Sequence, residues 1–301
     1  VVDNFYVQDN IDIYITGSNA YFMSSDMATL LTGRYVQIEM LPLSYKEYVD
    51  AYSESGLSRM VLYEKYVSEG SFPGLLHMSE NWQGRQDYLQ GLFNTVVLKD
   101  IVDRLKIADI KLLESIVRYI FANIGSLINP TKIANSLTSA GRKVDNKTVE
   151  RYLRGLEDSL LLYNTERFDV RDKEVLRLRP KYYVVDIAFK QLLLPDINRD
   201  RGHVLENIVY LELRRRGYTV YVGQLTKGEI DFVAQKPGGI LEYYQVSESV
   251  LDPTTRDREL APLEAVKDQY PKFLLTMDEL YKPHNYNGIQ QCNVLDWLLG
   301  M

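Results

Sequence analysis

The 301-residue sequence predicts a multidomain protein of mixed α/β and α+β class. Three features indicate this class: a strand–helix–strand pattern at the start, a long helical middle, and a last third in which one helix precedes several strands. At roughly 150 residues per domain, the length fits about two domains. Hydrophobic residues make up 46% and charged residues 25%, which is ordinary for a globular protein and argues against a disordered or fibrous chain.

Composition also argues against several kinds of site and partner. The longest apolar runs, such as residues 160–163, fall far short of the ~20 residues that span a bilayer, so we expect no membrane partner and a cytoplasmic location. The single cysteine, Cys292, excludes an intramolecular disulfide framework and a multi-cysteine zinc site. The formal charge of −6 provides no global positive field, so any contact with nucleic acid must come from a local patch.

Residues 1–48 form the first predicted unit. Residues 11–16 are rich in β-branched side chains and stop at a polar Gly-Ser-Asn turn, which predicts a strand followed by a capped helix. Residues 35–40 alternate as a second strand, and Pro42 ends it. Because an open α/β sheet normally has more strands than these, we interpret the unit as the trailing edge of a larger domain.

The middle of the chain predicts two further units. Residues 49–106 have a helical pattern and predict a helical lid or connector. Residues 107–195 predict a winged helix, because three helical segments precede a β-hairpin. Pro130 suits the first turn of the second helix, and Asp145 can cap the third.

The third helix of this unit carries a candidate nucleic-acid site. Lys147, Arg151 and Arg154 are spaced three and four residues apart and therefore share one helix face, from which they can contact phosphates. Further basic residues flank the helix and the wing, namely Arg142, Lys143, Arg171, Lys173, Arg177 and Arg179. Acidic residues interrupt this cluster, and many winged helices only dock other proteins. Both a DNA partner and a protein partner therefore stay open.

Residues 196–301 predict a compact α/β domain with the strongest group of polar residues. Glu206 lies on a predicted helix, Asp231 on one strand, and Gln245 on the next strand. In a hairpin Asp231 can face Gln245, and such oxygen ligands hold Mg²⁺ in enzymes that cleave phosphodiesters. The alternative is that these carboxylates belong to a structural ion-pair network with nearby arginines and lysines.

The same region carries a family resemblance. Gly-Glu-Ile-Asp-Phe-Val at residues 228–233, followed by Tyr-Gln-Val-Ser at residues 244–247, resembles the core of restriction-endonuclease-like nucleases. The resemblance implies that Asp231 and Gln245 bind metal and that Glu206 is the acid of the preceding helix. It also implies a lysine, two residues after Gln245, that assists the attacking water.

Serine replaces the lysine that this nuclease family requires. Ser247 is neither a cation nor a useful base near pH 7. Lys227 or Lys236 could take the role from elsewhere, although their spacing does not show it. We therefore expect a degenerate, non-cleaving nuclease fold, with a Mg²⁺-dependent nuclease that uses a relocated lysine as the alternative.

A second resemblance lies in the N-terminal unit. Ile-Tyr-Ile-Thr-Gly-Ser-Asn at residues 13–19, Leu-Thr-Gly-Arg at residues 31–34, and Leu-Pro-Leu-Ser-Tyr-Lys-Glu-Tyr at residues 41–48 resemble the back half of an AAA+-type ATPase. The whole chain follows the order of a prokaryotic family in which such an ATPase precedes a winged helix and a nuclease-like domain.

This resemblance implies roles for three residues. Ser18 or Asn19, at the end of the sensor strand, would orient the attacking water or contact the γ-phosphate. Arg34 would neutralise phosphate charge in cis or from a neighbouring subunit of a homo-oligomer. Considered without the resemblance, the same residues form a plain helix cap and a surface ion pair.

The elements that hold a nucleotide are missing from the sequence. No Gly-x-x-x-x-Gly-Lys-Ser/Thr motif occurs in the 301 residues, and no strand ends in the paired acids of a Walker B site. A nucleotide needs a backbone cradle and a lysine, so we expect that this chain alone does not hydrolyse ATP. The chain begins with Val1, and we expect the P-loop half, which would bind ATP and Mg²⁺, to precede it.

The function predicted for the intact protein is ATP hydrolysis that changes how the winged helix and the nuclease-like domain engage DNA or a protein. A Mg²⁺-dependent nuclease and a non-enzymatic interaction module are the alternatives.

Overall fold

The computed structural model describes residues 10–16, 36–78, 82–194, 201–279 and 284–301. Among these residues, no helix combines the length and apolar character that crossing a membrane requires.

Helices fill the middle of the chain and flank the C-terminal strands. In chain order the α-helices are α1 (Tyr45–Ala51), α2 (Arg59–Glu69), α3 (Trp82–Phe93), α4 (Val102–Leu105), α5 (Ile110–Ala122), α6 (Pro130–Ser139), α7 (Asn146–Asp158), α8 (Ile187–Leu193), α9 (Arg201–Arg215), α10 (Pro253–Ala265) and α11 (Val294–Leu299). A 3-10 helix at Pro73–His77 and a π-helix at Asn94–Ile101 lie between α2 and α4.

The described strands form one eight-stranded mixed sheet. They are β1 (Leu162–Asp169), β2 (Glu174–Val184), β3 (Thr219–Gln224), β4 (Glu229–Gln235), β5 (Leu241–Ser247), β6 (Lys272–Thr276), β7 (His284–Tyr286) and β8 (Ile289–Asn293). Their order across the sheet is β2-β1-β3-β4-β5-β6-β8-β7. Strands β1 and β3 pair in parallel, and this pairing joins the β1–β2 hairpin to the strands that follow α9.

Residues 110–184, here called the helix–hairpin unit, contain three helices and a hairpin in the predicted order. The side chain of Asp145 accepts a hydrogen bond from the Thr148 N–H and caps α7, as expected. Pro130 begins α6, since a missing N–H costs nothing in the first turn. Six apolar residues of α5 are buried, including Ile116 and Ile120 at 0% exposure. Local sequence signals therefore place these elements correctly.

Residues 201–301, here called the C-terminal unit, have helices on both faces of the sheet. Helices α9 and α11 contribute to the larger hydrophobic cluster together with Phe232 and Tyr244. Helix α10 contributes Leu260 and Leu263 to a second cluster with Val233. Alternate strand residues thus face opposite helical layers, which is typical of an α/β sheet.

Two predicted strands are absent from the described structure. Residues 11–16 and 36–40 carry no regular secondary structure, and no described strand pairs with either of them. A strand is stable only where a neighbour supplies hydrogen bonds. Large apolar side chains in both segments are exposed, such as Tyr14 at 84% and Val36 at 88%. The prediction of strands at these two places is therefore wrong for the described residues.

Candidate functional site

A buried ion-pair cluster lies where the β1–β2 hairpin meets the C-terminal unit. Glu206 lies on α9 and is 7% exposed. Its Oε1 atom accepts hydrogen bonds from Lys181 Nζ at 3.1 Å and from Tyr183 Oη at 2.5 Å. Because Lys181 and Tyr183 are two residues apart on β2, they share one face of that strand. The hairpin thus provides a cation and a hydroxyl to a carboxylate of the C-terminal unit.

Glu229, at the start of β4, forms a second ion pair with the same lysine. Its Oε1 atom lies 2.8 Å from Lys181 Nζ, and the lysine side chain is only 4% exposed. Burial alone lowers the pKa of a lysine, but the carboxylates of Glu206, Asp231 and Glu229 outweigh that effect and raise the pKa of Lys181. The lysine is therefore charged in the folded protein.

Asp231 and Gln245 lie where the backbone pairing of β4 and β5 ends, at Phe232 and Tyr244. Beyond that point the Val246 N–H donates to Asp231 Oδ2 at 2.8 Å, and the Asp231 N–H donates to Gln245 Oε1 at 3.3 Å. The two side chains predicted as metal ligands therefore accept hydrogen bonds from the backbone of the two strands.

The structure connects all three predicted metal ligands. Burial raises the pKa of Asp231 well above its ordinary value, and the negative charge of Glu206 adds to this effect, whereas Lys181 opposes it. Gln245 is held further by a hydrogen bond from its Nε2 to Glu259 Oε2 at 2.9 Å. Asp231 thus contacts Gln245 through a hydrogen bond and is influenced by the charges of Glu206 and Lys181.

The lysine at this cluster differs from those that the sequence pointed to. Lys236 forms an ion pair with Glu242 at 2.7 Å. Lys227 is exposed in the turn before β4, and Ser247 Oγ donates to a backbone carbonyl. Lys181 was missed because its position depends on the pairing of distant strands. One signal was available: Lys181 precedes the apolar run Tyr-Tyr-Val-Val, and a charge inside a buried strand requires a partner.

As they stand, these residues do not fit a divalent cation. An ammonium group lies between Glu206 and Glu229, and backbone amides engage oxygens of Asp231 and Gln245. Within the described ranges, no three Asp, Glu, His or Cys side chains are arranged to hold a metal ion. Mg²⁺ binding by this cluster stays a prediction.

A second candidate site is the exposed face of α7. Lys147, Arg151 and Arg154 are all exposed, and none of them forms an ion pair with another described residue. They border a surface cavity of about 380 Å³ lined by Leu105, Lys147, Glu150, Arg151, Arg154, Gly155 and Asp158. The three cations predicted to contact nucleic acid therefore lie together on one open surface.

The wing turn, by contrast, is tied to the C-terminal unit. Lys173 forms an ion pair with Asp268 and donates a hydrogen bond to Tyr243 Oη at 2.9 Å. The Val170 N–H donates to the Gln224 carbonyl at 3.1 Å. The sequence grouped Lys173 with cations available to phosphate, whereas the structure engages its charge within the chain.

The residues predicted to sense nucleotide, Ser18, Asn19 and Arg34, lie outside the described residues. Their roles stay predictions that depend on the family resemblance.

Comparison with known proteins identifies two matched segments and two relatives. Residues 1–49 match the family described as "AAA domain", and residues 60–199 match the family described as "Domain of unknown function (DUF8612)". An uncharacterized protein of Methanocaldococcus jannaschii is 31% identical over 277 residues, which cover 85% of this chain and 60% of that protein. No solved structure matches the chain.

A protein of Haemophilus influenzae, also described as uncharacterized, is 39% identical over 301 residues, which cover 99% of this chain and 74% of that protein. The AAA domain match supports the ATPase-type resemblance of the first residues. Neither family description names a winged helix or a nuclease, although residues 60–199 include the segment predicted as a winged helix. By its identity over nearly its whole length, the chain belongs to the same family as the Haemophilus influenzae protein.

Proposed function

We propose that this chain is part of an AAA-type ATPase that uses ATP and Mg²⁺ to control how its helix–hairpin and C-terminal units engage a partner. The observation that carries the proposal is the AAA domain match over residues 1–49. This segment contains Ser18, Asn19 and Arg34. In the intact protein Ser18 or Asn19 orients the attacking water, and Arg34 stabilises the charge that develops on the transferred phosphoryl group.

ATP hydrolysis by the full-length gene product, including any residues that precede Val1, tests this proposal. We expect Mg²⁺-dependent hydrolysis that the double variant Ser18→Ala with Asn19→Ala and the variant Arg34→Ala each reduce about 10²-fold or more. Arg171→Ala is the matched control, since Arg171 is 86% exposed on the wing and should leave kcat unchanged. Absence of hydrolysis, or equal loss in the control, would overturn the proposal.

A mixing experiment distinguishes the two possible positions of Arg34. If Arg34 acts on the nucleotide of a neighbouring subunit, an equimolar mixture of the protein with Ser18→Ala and Asn19→Ala and the Arg34→Ala protein regains part of the activity. If Arg34 acts in cis, the mixture stays as inactive as its components. Recovery of activity would also establish a homo-oligomer.

For the partner, the exposed cationic face of α7 favours DNA. The helix–hairpin unit resembles a winged helix, and Lys147, Arg151 and Arg154 present three exposed cations on α7. Free cations at this spacing suit phosphate groups. Because Lys173 is engaged by Asp268, we infer that the contact involves α7 rather than the wing.

Fluorescence anisotropy with a labelled DNA duplex at several salt concentrations tests this contact. Arg151→Glu with Arg154→Glu should weaken binding at least tenfold and reduce the slope of log K against log salt by about 2. The control with the same charge change is Lys46→Glu with Lys227→Glu, both exposed and outside α7 and the wing. Equal affinities for both double variants would remove DNA and leave a protein partner.

The C-terminal unit resembles a nuclease fold, and we propose that it does not cleave DNA. Support comes from Ser247 at the position of the expected lysine and from Lys181 between Glu206 and Glu229. Incubation of supercoiled plasmid with the protein and Mg²⁺ or Mn²⁺ should leave the plasmid intact. Cleavage that Asp231→Ala abolishes would instead establish a Mg²⁺-dependent nuclease with a relocated lysine.

A further inference from the structure

The cation and the carboxylates of the buried cluster come from two different units of the chain. Lys181 belongs to the helix–hairpin unit, whereas Glu206 and Glu229 belong to the C-terminal unit. The lysine side chain is 4% exposed and that of Glu206 is 9% exposed, so this pair is shielded from water. A buried ion pair that loses one partner leaves an uncompensated charge, which is far more costly than the loss of a surface pair.

The helix–hairpin unit also covers the cluster with its backbone. Gly125, in the loop after α5, has a φ of +69°, and a Cβ atom there would lie 2.7 Å from His203 Cδ2 and 3.2 Å from Glu206 Oε2. The same loop is fixed to β2, because the Gly125 N–H donates to the Tyr182 carbonyl at 3.0 Å and residue Leu127 forms a β-bridge with Lys181. The segment that covers Glu206 and the strand that carries Lys181 therefore form one body.

We propose that Lys181 is the built-in counter-ion of the Glu206–Glu229–Asp231 cluster, that it fastens the helix–hairpin unit over these carboxylates, and that it thereby excludes a divalent cation. This inference rests on the proposed non-cleaving, nuclease-like C-terminal unit. The ammonium lies 3.1 Å from Glu206 and 2.8 Å from Glu229, at hydrogen-bond distances. Mg²⁺ requires oxygens at about 2.1 Å, so the lysine and the metal cannot share these carboxylates.

Two consequences distinguish this role from an ordinary ion pair. Removal of the lysine charge should weaken the attachment of the loop over α9, because Glu206 stays buried without a cation. It should also make the cluster receptive to a divalent cation, because the same carboxylates then lack a counter-ion. A lysine that only stabilises the fold would give the first effect without the second.

The experiment compares Mn²⁺ binding, by calorimetric titration, and Tm for the full chain and its variants. The wild-type protein should show no Mn²⁺ binding at this cluster. Lys181→Met keeps most of the length of the side chain without its charge. It should lower Tm by at least ~5 °C, and it should bind Mn²⁺ measurably where the wild type shows no binding. Mn²⁺ should restore part of its lost Tm. Lys236→Met is the matched control, since Lys236 pairs with Glu242 outside the cluster and should not alter Mn²⁺ binding.

A conservative and a compensating variant keep the proposal testable if Lys181→Met folds poorly. Lys181→Arg retains the charge and, like the wild type, should show no Mn²⁺ binding. Lys181→Met with Glu206→Gln removes one charge of each sign and should recover Tm relative to Lys181→Met alone.

The counter-ion role would be overturned if the wild-type or Lys181→Arg protein bound Mn²⁺ and the substitution Glu206→Gln abolished that binding. Failure of a folded Lys181→Met protein to bind Mn²⁺ would overturn it equally. Plasmid cleavage by the wild-type protein is a separate result, because it would contradict the non-cleaving function whether or not Lys181 excludes metal from the resting protein.

Discussion

At the scale of single residues, Lys173 and Asp268 connect the wing to the C-terminal unit and make one part of the stability depend on pH. Burial raises the pKa of the Asp268 carboxyl, but hydrogen bonds from Lys173 and Tyr243 outweigh it, so that the pKa lies below its ordinary value. A carboxyl with a lowered pKa in the folded state stabilises the protein above its ordinary pKa of about 3.9. That contribution is lost as the pH falls through the lower, folded value.

We therefore predict that Lys173→Met lowers the free energy of unfolding by up to about 1 kcal/mol at pH 7. The loss should be smaller near pH 3, because this pH lies below the ordinary pKa of the carboxyl and part of the contribution is already gone. Urea unfolding at the two pH values measures both effects. Arg171→Met is the control, because Arg171 lies in the same turn and only reaches Asp172 at 4.0 Å. An equal loss for Lys173→Met at both pH values would contradict the proposed coupling.

At the scale of elements, the loop between α5 and α6 packs closely against α9, because Gly125 lies against the side chains of His203 and Glu206. Gly125→Ala should cost about 1–2 kcal/mol for the positive φ alone, and more because the new methyl group would contact the His203 ring. Gly141→Ala supplies the control, since Gly141 has a φ of +85° and open space around its Cα. The difference between the two variants in urea unfolding isolates the packing over Glu206. Equal losses would mean that the loop tolerates displacement.

The same scale explains which elements the sequence could predict. The three helices and the hairpin follow from apolar spacing and from caps such as Asp145, which act within a few residues. The parallel pairing of β1 with β3 joins strands about 50 residues apart and leaves no local signal. Lys181 reaches Glu206 through that pairing and through the two hydrogen bonds between the Asn207 side chain and the Val184 backbone, so the carboxylate side of the cluster was predictable and its cation was not.

At the scale of the whole molecule, the hairpin makes the helix–hairpin and C-terminal units parts of one structure. Strand β1 hydrogen-bonds to β2 on one side and to β3 on the other, so the two units share a continuous sheet. The larger hydrophobic cluster also extends from α5 and α7 into α9 and β4. Units that share a core and a sheet lose stability together, whereas units joined by a linker unfold independently.

We accordingly predict that α5 to α11 unfold in a single transition, with hydrogen exchange of β1 and β3 protected to a similar degree. Differential scanning calorimetry on the full chain should show one peak for this region.

The Lys181→Met variant shows which contacts couple the two units. If the shared sheet dominates the coupling, the variant should shift the peak to lower temperature without splitting it. If the Lys181 ion pairs dominate instead, the variant should split the peak, and hydrogen exchange in the helix–hairpin unit should accelerate before exchange in the C-terminal strands. Two separate transitions in the wild-type chain would contradict both, because neither the β1–β3 pairing nor the ion pairs would then couple the units. We expect the single, shifted peak, since the β1–β3 hydrogen bonds and the common core remain when one lysine charge is removed.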